Sequence, residues 1–304
     1  MASTSARPSA PADFHFRRLS KPEEFRQVEE VQRRVWSGEG APVAPALQRA
    51  VQDNGGIILG AFADIHLAGF TFGFLGWDGE RLYHYSHLTA VRPEYQNHGL
   101  GRRLKLAQRE EVIAQGLEEV RWTFDPLQSR NALLNVRRLG ATPHRYLVHY
   151  YGQMADAINA GHESDRLLVR WRLTDPDVVR RLQSGPPSAA DDAARYSRSS
   201  RIVESELGDA GLRVPVGVSE PTGSSATLEI PYDIGSVREH QPDSVRTWRH
   251  AVRDAFRAAF DLGWAVDDFA VVSIEHERRS VYFLSPGPGT TADPPSRSDA
   301  PPPA

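Results

Sequence analysis

The feature that most constrains this chain is a junction at residues 81–115. RLYHYSHLTAV (81–91) has the aromatic and β-branched content of a strand. Gly99–Gln115 places Leu100, Leu104, Ala107 and Ile113 at helical spacing, and Gly116 stops it. Between them lie Gln96, Gly99 and Gly101, with Arg102 and Arg103 following. Glycine adopts dihedrals closed to other residues and lets backbone approach a bulky ligand. The first N–H groups of a helix lack internal partners and sit at the positive end of its dipole. Together these make an anion site, most often for phosphate. Gln96 adds an amide donor, and His98, Arg102 and Arg103 add donors or charge. Two common phosphate loops are excluded. G-x-x-x-x-G-K-[ST] is absent, and the dinucleotide fingerprint needs glycine where Leu104 stands. What remains is Q-x-x-G-x-G after a strand ending A-V-x-P.

Around this junction, alternation predicts strands over 14–20, 55–64, 67–77, 117–125, 144–152 and 165–173, with helices over 21–36, 44–51 and 130–139. Ser129 is the expected cap of the last helix. Strands and helices alternate after residue 81, which implies an α/β (α+β) fold with a mixed sheet covered by helices. Residues 174–212, centred on PPSAADDAARYSRSS, read as a linker or flexible insertion. Order resumes with a strand at 226–234, a helix over 242–262 capped by Asp243, and a hairpin over 269–285. The helix carries an apolar stripe of Val245, Trp248, Val252, Ala255, Phe256, Ala259 and Phe260. Residues 1–12 and 286–304 are Pro-rich and expected to be disordered.

Composition narrows the function classes. Of 304 residues, 40% are hydrophobic and 25% charged, ordinary values for a protein with a buried core. A net charge of −3 gives no general pull toward nucleic acid or acidic membranes, and no basic, aromatic-interleaved patch stands out. No apolar run reaches the ~18 residues of a membrane span, and the N-terminus has no signal-like apolar core. The chain has no cysteine, which removes disulfides, thiolate metal sites and an acyl-cysteine intermediate, and fits a cytoplasmic location. No metal site is expected, since HExxH is absent and His84 and His87 alone are too few.

TAVRPEYQNHGLGRRL (89–104) resembles the acetyl-CoA-binding segment of the GNAT superfamily of N-acetyltransferases. SRNALLNVRRLGA (129–141) resembles that family's later helix, and the order of elements from residue 14 to about 152 is similar. WTFDPLQSRNA, GHESDRLLVRW and the aromatic pattern over 248–269 resemble a subgroup of predicted acyltransferases with a C-terminal extension. The resemblance implies a GNAT domain over 13–173, with a mostly antiparallel central sheet flanked by helices, and an αβ extension over 213–285 packed on it. It implies that the backbone of Gln96, Asn97, His98, Gly99, Leu100, Gly101 and Arg102 holds the coenzyme pyrophosphate. Ala90 and Val91 would then run beside pantetheine, with Asn131 near it, and the Arg102–Arg103 pair can reach the 3′-phosphate.

The resemblance implies acetyl transfer from acetyl-CoA. With no cysteine to carry the acyl group, direct attack by an amine in a ternary complex is the simplest route. The amine must lose a proton, the oxyanion needs a donor, and the thiolate needs an acid. Many members place a tyrosine four residues before the terminal glycine of the later helix. Here that position is Val136. In a regular strand Tyr83, Tyr85, His87, Thr89 and Val91 share one face, and His84 and Ser86 the other; a bulge would change that parity. His87 is the first candidate base, with Tyr85 lining the substrate pocket. Asp125, in FDPLQ, either holds or deprotonates the amine or caps the turn before Pro126. The expected acceptor is a small-molecule amine. A non-catalytic CoA-binding sensor or scaffold, a protein N-acetyltransferase, and a homodimeric state stay open.

Overall fold

The computed structural model describes residues 13–36, 41–152, 163–208 and 211–287. Contacts divide these into two compact units. One holds the described residues up to Trp77 together with Leu82–Trp122. The other holds Asp78–Arg81, 123–152 and the described residues from 163 onward.

The first unit contains β1 (His15–Arg18), α1 (Pro22–Val35), α2 (Pro45–Asp53), β2 (Ile57–Ala63), β3 (His66–Trp77), β4 (Leu82–Val91), α3 (Leu100–Ala114) and most of β5 (Glu119–Phe124). Strands β1 to β4 pair antiparallel in chain order, and β4 pairs parallel with β5, so the sheet is mixed. β2 is buried along its whole length because helices cover both faces. On one face Phe25, Val28 and Val31 of α1 pack on Ile58, Phe62, Phe70 and Phe72. On the other, Leu100 and Leu104 of α3 pack on Phe14 and on Ala61, Ala63 and Ala68, and the small alanine side chains let the helix approach closely. The Glu24 carboxylate fixes the start of α1 by accepting the Ser20 and Lys21 N–H groups. Arg17 holds that carboxyl at about 2.

The buried face of α3 is not the one expected. Leu100, Leu104, Lys105, Gln108 and Val112 are buried, whereas Ala107 and Ile113 are only half-buried. Lys105 and Gln108 turn inward because the strand beneath them offers polar partners.

The second unit holds α4 (Ser129–Ala132), which runs into a widened turn over Leu133–Arg138 closed by Leu139 N–H to Leu134 O at 3.0 Å. Then come β6 (Thr142–Leu147), β7 (Arg166–Arg172), α5 (Pro176–Ser184), α6 (Ala189–Arg198), β8 (Ser200–Leu207), β9 (Arg213–Val218), β10 (Ala226–Ile230), α7 (Ile234–His240), α8 (Pro242–Asp261), β11 (Trp264–Ile274) and β12 (Glu277–Pro286). β6 and β7 pair antiparallel, and a five-stranded sheet runs β11-β12-β10-β8-β9. α8 buries Val245, Trp248, Val252, Ala255, Phe256 and Ala259; Phe256 and Phe269 meet the Tyr282 ring edge-on at 5.1 and 4.9 Å.

Several local readings are corrected here. The stretch read as a flexible linker carries α5, α6 and β8. Its caps are local: Asp175 accepts the Asp177 N–H, and Ser188 and Asp191 form a reciprocal capping box. Asp243 does not cap α8, which starts at Pro242 after Gln241. Ser129 lies inside α4, its hydroxyl 2.7 Å from that of Ser280. β6 stops at Leu147 because His149 turns left-handed (φ 53°) and gives its N–H to Asp165. Pro286 ends β12. The disorder expected over 1–12 and the rest of the tail lies outside the described residues.

Candidate functional site

β4 carries the site, and a bulge shapes it. Leu88 lies opposite Phe72, but Ser86 lies opposite Gly73, so His87 is an extra residue on β4. The bulge breaks the regular parity. Tyr85 and His87 face the α1 side with Phe72 and Phe74, while Thr89 and Val91 move to the α3 side with His84 and Ser86. The expected grouping of His87 with Thr89 and Val91 is thereby corrected. Gly73 is required here, since a Cβ would overlap the His84 ring and approach Tyr85 O to 2.6 Å.

β4 and β5 pair only at His84–Val120 and Tyr85–Arg121. Ser86 is thus the first β4 residue past the last pair, and from there to Val91 the ladder to β5 has ended.

The β4 end is pinned before the turn. Arg92 gives its N–H to Ala68 O at 2.9 Å and its Nε–H to Leu67 O at 2.6 Å. A short turn over Pro93–Tyr95 follows, with Tyr95 edge-on to Phe14 at 5.7 Å. Gln96 is not aimed outward; its Nε2 donates to Val91 O at 2.9 Å and ties the turn to the strand. Asn97 (φ 68°) and Gly99 (φ 73°) are left-handed and exposed, and nothing lies within 4 Å of where a Gly99 Cβ would be. Gly99 precedes α3, and no side chain caps that helix start. Leu100 is buried, so the turn is anchored on one side and open on the other. His98 is exposed beside it. Arg103 leans back over the rings of Phe16 and Phe14, at 4.9 and 5.5 Å. A left-handed turn delivering an uncapped helix start, with open space before it, suits an anion such as a pyrophosphate.

On the α1 side, His87 is exposed at the bulge, 5.9 and 6.0 Å from the Phe72 and Phe74 rings and 6.4 Å from Tyr85. Although one side of the ring is exposed, the Phe72 and Phe74 rings desolvate the other and push its imidazole pKa down, which favours the neutral form. On the α3 side lies a polar cluster missed in the sequence. Lys105 Nζ donates to Ser86 Oγ at 2.6 Å and lies 4.2 Å from the Trp122 ring centroid. Gln108 Nε2 bonds Thr71 Oγ1 at 2.9 Å and His84 Nε2 at 3.1 Å. Since an amide N–H donates, His84 accepts at Nε2 and carries its proton on Nδ1, where it has no partner. Burial, with Lys105 and Arg18 nearby, lowers His84 to about 3. The clue in the sequence was Lys105 itself, one of only two lysines among 36 basic residues.

Asp125 and Asn131 belong to the second unit. Asp125 is buried and bidentate to Arg249, at 2.5 and 3.0 Å, and also accepts the Leu127 N–H at 3.0 Å. Burial pushes its carboxyl up, but Arg249 and these hydrogen bonds outweigh that and leave it below its ordinary value. It is a turn-capping, ion-paired residue, not a free base. Asn131 is exposed in the first turn of α4. Val136 is buried in the widened turn and offers no acid.

Residues 21–140 match the family model described as the acetyltransferase (GNAT) family. No curated protein matches the sequence. Among solved structures, the chain is similar to the NatC complex bound to Gag peptide and CoA, at 15% identity over 53% of this chain and 99% of that one, TM-score 0.44. It is similar to the ribosomal-protein-S18-alanine N-acetyltransferase from Escherichia coli, at 15% identity over 53% and 94%, TM-score 0.42. Arabidopsis thaliana NAA60 in complex with acetyl-CoA matches at 14% identity over 53% and 99%, TM-score 0.42.

Proposed function

We propose that this protein moves an acetyl group from acetyl-CoA to the amine of a small molecule, since residues 21–140 match the acetyltransferase (GNAT) family model. The amine attacks the thioester directly while both are bound. The observation that carries this reading is the open left-handed turn at Asn97 and Gly99, which opens onto an uncapped helix start beside the end of β4 that no longer pairs with β5. The backbone of 96–102 would hold the pyrophosphate, and Ala90 and Val91 would flank the pantetheine arm. His87, on the α1 side of β4, is the candidate base that brings the incoming ammonium to its neutral form before attack. The aromatic wall of Phe72, Phe74 and Tyr85 beside it suits an amine attached to an apolar or aromatic body. Asn131 near pantetheine, and domain limits of 13–173 and 213–285, belong to the same reading.

The test is release of CoA thiol from acetyl-CoA across a panel of small primary amines. With no cysteine in the chain, a thiol reagent reads only the product. Turnover with a small amine, reduced in kcat by His87→Ala with unchanged acetyl-CoA affinity, is the expected result. One observation favours a second reading, a CoA-binding sensor: buried Val136 stands where an acid would serve the leaving thiolate. Acetyl-CoA binding with no turnover for any amine would favour that reading.

A further inference from the structure

The α3 side of β4 holds a group that the account above leaves unused. Lys105 is 4% exposed and Ser86 3% exposed, and Nζ and Oγ are 2.6 Å apart. The other contacts of Nζ are Gln108 Oε1 at 3.4 Å and the Trp122 ring. Among the described residues no carboxylate lies within ion-pair distance of it. The titratable groups facing this cluster are His84 on β4, Arg18 on β1 and Glu111 on α3, and the last two are paired with each other at 2.7 Å. A lysine buried without an anion gives up its proton readily, and burial lowers Lys105 to about 7. Arginine cannot do this, yet arginine fills all but two of the chain's 36 basic positions. Ser86 also stands where the β4–β5 ladder ends, so its flank toward β5 is the first to open.

We propose that Ser86 and Lys105 form a proton-transfer dyad at the parting of β4 and β5, with Ser86 meeting the reacting atoms and Lys105 positioning it and holding its proton. The proposal rests on the acetyltransferase reading above. As the neutral amine nitrogen bonds to the thioester carbonyl carbon, its proton passes to Ser86 Oγ while the Ser86 proton passes to Lys105 Nζ. When the C–S bond breaks, its electron pair stays on sulfur. Lys105 returns the proton through Ser86 to that sulfur, leaving amide, CoA thiol and a neutral lysine. The dyad thereby supplies the acid that Val136 does not.

The test combines lysine titration with turnover in the full chain. Protein labelled with ¹³C-lysine carries signals from Lys21 and Lys105 alone. Lys105 should titrate near neutrality, and Ser86→Ala should move its midpoint. CoA release from acetyl-CoA, with hydroxylamine as the acceptor probe, should follow the Lys105 midpoint in wild type. In Lys105→Met it should fall at least tenfold and lose that pH dependence, while acetyl-CoA affinity stays unchanged. Ser86→Ala should give the same loss in a fold that keeps its lysine. A Lys105 midpoint at the ordinary lysine value, or wild-type turnover and pH profile in either variant, overturns the dyad and leaves the acetyltransferase reading standing. A wild-type chain that does not bind acetyl-CoA overturns the acetyltransferase reading itself, whatever Lys105 does.

Discussion

Arg249 in the second unit and Lys105 in the first are both buried cations, and their surroundings treat them oppositely. Arg249 grips Asp125 with two hydrogen bonds, and the pair keeps both charges. Lys105 has a hydroxyl, an amide and an indole ring for company. Removing a charge from water costs several kcal/mol unless a counter-ion compensates. The paired site therefore locks structure, joining the FDPLQ turn to α8. The unpaired site resolves its cost by losing a proton, which leaves a group able to take one back. Burial alone does not mark a functional charge; the absence of a counter-ion does.

The contrast breaks first at Arg249. Arg249→Ala leaves Asp125 buried and alone and should cost about 3–5 kcal/mol in denaturant unfolding. Arg49→Ala, which removes an exposed pair with Asp53, should cost less than about 0.5 kcal/mol. Equal costs would erase the distinction between locked and surface pairs.

Lys105→Met should do the reverse and stabilise the fold at neutral pH, by about 2 kcal/mol after the lost Ser86 bond is counted. The folded value is depressed, so the penalty is full below about 7 and relieved as pH rises toward the unfolded value of 10.5. The advantage of the variant should shrink over that window. A destabilised variant at pH 7 would mean Lys105 is a satisfied cation after all.

His84 gives the smallest effect. Its folded value of about 3 lies below the ordinary imidazole value of 6.5, so the unfolded chain binds the extra proton between them. Stability from this group is whole above 6.5 and drains as pH falls, by about 1 kcal/mol between pH 6 and 5. His84→Gln should remove that part of the slope; an unchanged slope would show that His84 charges inside the fold.

The junction at 81–115 was legible because its signals are local: glycine dihedrals, a strand ending and a helix starting within a few residues. The apolar stripe of α8 was legible for the same reason. The faces of β4 were not, because a single inserted residue reverses parity and that insertion shows only in the pairing with β3. Lys105 and Gln108 were missed because hydrophobic spacing assigns polar residues outward, and only Ser86, Thr71 and His84 across the gap turn them in. The helices at 176–198 were hidden by an Ala, Asp, Ser and Arg composition, although Asp175 and Ser188 announced both caps. The turn-capping role of Asp125 was one of the two readings its sequence offered, but its ion pair was not legible because Arg249 is 124 residues away.

In the reading proposed for this protein, the turn at 96–102 holds the coenzyme. Calorimetric titration of acetyl-CoA into wild type and Gly99→Glu tests it most directly. Saturable binding to wild type is expected, with its loss in the variant, where side-chain bulk and charge enter the open space before α3. Equal affinity in both, with both folded, would contradict it.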